Sequence, residues 1–123
     1  MTIPAENTVA WFQIGSDKPA EVEKFYGDLF GWNFTPDPDS AGYDLIGYPG
    51  GQAPSGGVAH SPDASGNHAT FFVLVRDVAA TVAAAEGFGG KVLVPPITSE
   101  NGLVFAHILD PSGNNFGIFT PAP

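Results

Sequence analysis

Large apolar and smaller or polar side chains alternate through VAWFQIG, residues 9–15, the period of a strand with two different faces. Phe12 and Ile14 fall on one side; Trp11 and Gln13 fall on the other. From Pro19 the period lengthens. Val22, Phe25, Tyr26, Leu29 and Phe30 recur at helical spacing, with proline in the first turn and Gly31 as a stop. Three strand signals follow, WNFTP, YDLIGYP and GGVAHSP, separated by Pro, Asp and Gly clusters that read as turns. ATFFVLVRD then reads as a strand and VAATVAAAEG as an Ala-rich helix. GFGGK at 87–91 is its stop, and KVLVPP, LVFAHIL and NFGIF are three more strands. The order β-α-β-β-β occurs twice.

A shift of 59 residues brings the halves into register: Ala10, Phe12 and Ile14 fall on Ala69, Phe71 and Val73, Ala20 on Ala79, Gly31 on Gly90, and Pro36 on Pro95. Toward the ends HSP falls on FTP, Pro62 over Pro121. We read this as an internal duplication. The expected fold is α+β in one domain over 1–123. Two tandem βαβββ modules, about 8–62 and 68–121, form a mostly antiparallel sheet with both helices on one face.

Composition narrows the function. Thirteen acidic against four basic residues give a net charge of −9, a field that repels nucleic acid and anionic lipid. The first ten residues carry neither a basic nor an apolar leader segment and no apolar run is long enough to span a bilayer, so a soluble, cytoplasmic protein is expected. The absence of cysteine excludes disulfides, thiolate metal sites and a Cys nucleophile. GxSxG, a phosphate loop and HExxH are all missing.

Paired modules of this size, with FYGDLFGW closing the first helix and DPSGN making the last hairpin, resemble the vicinal oxygen chelate superfamily. That superfamily includes glyoxalases, extradiol dioxygenases and bleomycin-resistance proteins. The resemblance implies an open, curved half-barrel with helices on its convex face, pairing into homodimers, and a divalent metal on the concave face. The implied metal positions fall at Trp11 and Thr70 on the first strands, at Gly117 on the last strand and at or near Val58 in the first module. None offers imidazole or carboxylate, so we expect no metal or other cofactor of the family type.

Residues two apart share a strand face, so these positions mark the groove. Trp11 brings Gln13, Val58 brings His60, Thr70 brings Phe72, and Gly117 brings Asn115 and Phe119. The opposite set, Phe12, Ile14, Phe71, Val73, Val75, Phe116 and Ile118, is wholly apolar, as a helix-covered layer requires. His107, three residues before Asp110, stands where extradiol dioxygenases of the superfamily carry an active-site Tyr, and hairpin register leaves its face open. Gln13 on an aromatic wall needs a hydrogen-bonding neighbour or ligand. His68 and the carboxylates Glu21, Glu23, Asp28, Asp37 and Asp39 are expected to be solvated.

The leading expectation is a homodimer that binds a planar hydrophobic small molecule over Trp11, Gln13, Val58, His60, Thr70, Phe72, Asn115 and Phe119. A metal-independent lyase or isomerase-type enzyme with His60 or His107 as general acid/base stays open beside it. So do a metal-dependent lyase or dioxygenase and a module that only mediates protein association.

Overall fold

The computed structural model describes residues 5–51 and 53–123. They form a mixed α+β protein with the expected order twice over: strand β1 (Val9–Ser16), helix α1 (Pro19–Phe30), strands β2 (Asn33–Pro36), β3 (Tyr43–Gly47) and β4 (Gly56–His60), then β5 (His68–Leu74), α2 (Val78–Gly87), β6 (Lys91–Thr98), β7 (Val104–Leu109) and β8 (Asn115–Thr120). A short 3₁₀ turn, Ala64–Gly66, capped by the Asp63 side chain, joins the two halves. No helix among the described residues is long and apolar enough to cross a membrane.

The chain divides into two compact units. One comprises residues 12–69; the other comprises 70–123 together with 5–11, because Asn7 and Thr8 exchange main-chain hydrogen bonds with Leu74 at 2.7 and 3.0 Å. In the first unit the strand order is β2-β3-β4-β1, and in the second it is β5-β8-β7-β6. Each unit pairs its first strand parallel to its last, β1 with β4 and β5 with β8, and builds its remaining strands as an antiparallel meander. Two independent assemblies of the same unusual mixed pairing are what a duplication produces.

The core of the second unit is Val75, Val78, Val82, Ala106, Ile108 and Ile118, with Val78 and Val82 contributed by α2. Alanine elsewhere on α2 lets that helix lie close to β6, β7 and β8, and Asp77 caps it by accepting from the Ala80 N–H at 3.0 Å. In the first unit α1 lies on β2 and β4, and Ile46 and Val58 are both fully buried. Gly31 ends α1 in the left-handed region (φ 75°), its N–H bonded to the Gly27 carbonyl at 2.9 Å.

One boundary and one helix face differ from the pattern. Strand β6 continues through Pro95 and Pro96 to Thr98, with register irregularities on either side of Val94. It lies at the sheet edge, where a missing N–H breaks no ladder. The α1 stripe is also rotated: Val22, Glu23, Tyr26 and Gly27 turn inward, while Phe25, Leu29 and Phe30 are each more than half exposed.

Candidate functional site

In the second unit, β-sheet register decides which side chains meet. Phe72 lies opposite Gly117, which lies opposite His107; Phe105 pairs with Phe119 and Leu109 with Asn115. Directly opposed residues share a face. His107, whose face the sequence left open, therefore joins Phe72, Asn115 and Phe119. The Phe72 ring meets the His107 ring edge-on at 5.1 Å and the Phe119 ring at 6.4 Å, and Phe105 meets His107 at 6.2 Å. Such tilted pairs are the favourable geometry for aromatic quadrupoles.

Gly117 makes this cluster possible. A Cβ there would stand 2.2 Å from Cε2 of Phe72, far inside van der Waals contact. Only glycine lets the ring lie down on the strand. The polar members are tied in as well: Thr70 Oγ1 donates to the Asn115 carbonyl at 2.7 Å, and His107 Nδ1 lies 3.3 Å from Asn115 Oδ1. With the amide oxygen as acceptor, the imidazole proton sits on Nδ1 and Nε2 is the basic nitrogen of the neutral ring. Phe72 and His107 are 6% and 9% exposed, so this is a largely dehydrated surface. Trp11, at the end of the residue 5–11 segment, is half-buried in the same unit.

In the first unit the expected groove set separates. Register pairs Gln13 with Gly57, Ile14 with Val58 and Ser16 with His60. Val58 and His60 thus share the face of Ile14, under α1, and not that of Gln13. The reason is a one-residue difference between the halves. The shift of 59 carries Gln13 onto Phe72, but their partners, Gly57 and Gly117, are 60 apart, and a slip of one residue changes every side chain's face. Val58 is core, with no exposure. Its glycine neighbour is the true counterpart of Gly117, with the Tyr43 ring lying over it as Phe72 lies over Gly117.

Gln13 finds its partner within the protein. Its amide Nε2 is 2.9 Å from His68 Nε2, and His68 Nδ1 is 2.8 Å from the Gly66 carbonyl. The carbonyl can only accept, so Nδ1 donates to it and Nε2 accepts from Gln13. His68 is consequently a half-buried structural residue and not the solvated one expected. Its ring occupies the space above Gly15, where an added Cβ would lie 2.3 Å from Cε1.

The helix-covered face of the same unit gathers a second polar group. His60 Nε2 lies 2.8 Å from Asp44 Oδ2, and Glu23 of α1 completes a set whose ligand-type atoms all lie within 4.8 Å of one another. Glu23 Oε2 is closed off from water and takes no hydrogen bond. The neighbouring Asp44 carboxylate is also an acceptor, so the two bond only when a proton lies between them. Burial first, and then Asp44, push the Glu23 carboxyl up to about 7. Asp44 is held below its ordinary value, by the bond with Glu23 first and by His60 after it. Glu23 was expected to be solvated because Phe25, Leu29 and Phe30 dominate the apolar pattern. The signal that finds it is its position in the Pro19, Val22, Tyr26 row, one residue from Val22.

The positions at which the resemblance implies a metal supply poor ligands. Thr70 commits its hydroxyl to Asn115, Gly57 and Gly117 have no side chain, Val58 is in the core, and an indole such as Trp11 offers no lone pair. A divalent ion does not fit that donor set.

A profile of the glyoxalase-like domain family matches residues 11–119. The chain is 31% identical over 117 residues to proteins of Mycobacterium bovis and Mycobacterium tuberculosis described as "Putative glyoxylase CFP32", covering 94% of this chain and 45% of theirs. It is 30% identical over 136 residues to the anthracycline biosynthesis protein DauV of a Streptomyces species, covering 97% of this chain and 49% of that one. The chain thus spans about half the length of the curated relatives it matches. Its fold is similar to that of methylmalonyl-CoA epimerase from Mycobacterium tuberculosis, with a TM-score of 0.65 at 16% identity over 99% of this chain and 94% of the other.

Proposed function

The chain belongs to the glyoxalase-like domain family, within the vicinal oxygen chelate superfamily, and we propose that it binds a planar hydrophobic small molecule against the Phe72 face of its second unit, without a metal of the family type. One observation carries the reading: two tilted aromatic rings, Phe72 and Phe119, are set beside an imidazole and an amide that a purely structural apolar layer does not need. In this reading Phe119 and Trp11 supply stacking surface, and Asn115 and His107 supply hydrogen bonds that set orientation. Gln13 and Thr70 act through their neighbours, His68 and Asn115. The name of the Streptomyces relative points to an anthracycline, whose fused aromatic rings have the required shape.

The molecule acts as a soluble cytoplasmic homodimer with no nucleic-acid partner. Its net charge of −9 supports the last point, and Phe25, Leu29 and Phe30 on α1 provide apolar surface for pairing. Titration with an anthracycline and a panel of planar aromatic compounds, followed by Trp fluorescence, tests the reading. Saturable quenching is expected, and Phe119→Ala should weaken it about tenfold, the typical effect of truncating an aromatic anchor. Affinity unchanged by Phe119→Ala would remove the proposed surface.

The bond between His107 and Asn115 favours a second reading, a metal-independent lyase or isomerase-type enzyme. In this reading Nδ1 donates to Asn115 and Nε2 acts as general base on a small carbonyl substrate, the class to which the mycobacterial relatives' name points. His107→Gln should then lower kcat by two or more orders of magnitude. A turnover rate unaffected by that change would exclude this mechanism.

A further inference from the structure

We infer that Glu23, Asp44 and His60 form a binding site for one divalent transition-metal ion, zinc fitting best, between α1 and strands β3 and β4 of the first unit. The site is separate from the Phe72 face, and the inference does not depend on the proposed function. It rests first on convergence. One nitrogen and two carboxylate ligands come from three different elements, and their ligand atoms already lie within 4.8 Å of one another. A tetrahedral zinc about 2.1 Å from each ligand atom would hold them about 3.4 Å apart, which small side-chain rotations reach.

The second observation is the orphaned oxygen. Glu23 Oε2 is shut off from water and has no hydrogen-bond partner, while the ligand atoms of Asp44 and His60 lie within 4.8 Å of the one Glu23 offers, so a cation placed among them would satisfy it. The donor chemistry selects the cation. Imidazole nitrogen with two carboxylates suits zinc and its first-row neighbours, whereas magnesium and calcium take oxygen alone. Two carboxylates neutralise the ion's charge within the site, and the fourth position remains for water. Asp44 is the central ligand, with 16% of its side chain exposed, and His60, 40% exposed, gives the ion a way in from solvent.

Binding would exchange the contact between His60 and Asp44 for two bonds to the metal, with any proton held between Glu23 and Asp44 released to water. Zinc titrated into the full chain against a chromophoric chelator at neutral pH provides the test. The expected result is one ion per chain, with affinity reduced at least tenfold in Glu23→Gln and in His60→Gln. Glu21→Gln, which removes an exposed carboxylate from the same helix, should leave affinity unchanged. On the unaltered chain the His60 ring resonances should shift in proportion to zinc added. This second readout holds even if a variant folds poorly. No stoichiometric uptake, uptake insensitive to both ligand variants, or His60 resonances that ignore zinc would each overturn the inference.

Discussion

At Gly117 a single missing methyl group decides whether the aromatic face can form. Gly117→Ala would place a carbon 2.2 Å from the Phe72 ring. The strand must bulge or the ring must leave, and overpacking of this kind costs about 1–3 kcal/mol. Urea denaturation should show that loss, and ligand affinity should fall with it. Glu23 makes a different prediction, for metal-free buffer. Its carboxyl is raised from 4.5 to about 7, so the folded state holds a proton that the unfolded chain gives up. The stabilising contribution is complete below about 4.5 and is lost as pH rises through 7. Glu23→Gln, which mimics the protonated acid, should be the more stable protein at about pH 8, by on the order of 1 kcal/mol after allowance for solvent screening, with the difference shrinking toward about pH 5. Denaturant midpoints across that range provide the check. Neither residue's role was legible beforehand. Gly117 carries no pattern of its own, and Glu23 resembles any charged residue on an exposed helix face.

Elements with strong local chemistry could be read directly. Pro19 opens α1, Gly31 stops it in the left-handed region and GFGGK ends α2, so both helices lie where that punctuation places them, and the structure adds Asp77 as the cap of α2. Asp77→Ala should cost about 1 kcal/mol, read as a lower unfolding midpoint. Strand β4 was harder. GGVAH has two glycines and one large apolar residue, so its alternation does not announce a face. Register with β1, which depends on contacts far apart in sequence, places Val58 and His60 beneath α1. NFGIF, by contrast, has apolar residues on both faces, and its phase is set by the tight DPSGN turn that precedes it. There Asp110 accepts from the Ser112 and Asn114 N–H groups at 2.9 Å.

Over the whole molecule, the repeat read from the sequence is matched by the parallel closing pair that both halves keep. The halves have nevertheless diverged in chemistry. The second unit keeps a dehydrated aromatic and imidazole face, whereas the first uses Gln13 and His68 to satisfy each other and gathers its ionisable groups under its helix. Glycine at 57 and 117 is common to both, with an aromatic ring over each. The sequence carries the fold of the family more clearly than the ligand proposed for the Phe72 face, because ring stacking recognises a class of flat molecules and few polar groups narrow it further. The most direct measurement is NMR shift mapping on the isotope-labelled chain during titration with the anthracycline and the planar aromatic panel. Saturable shifts centred on Phe72, His107, Asn115 and Phe119 are predicted; saturable shifts centred on any other surface, or no saturable shift with any member of the panel, would contradict the account.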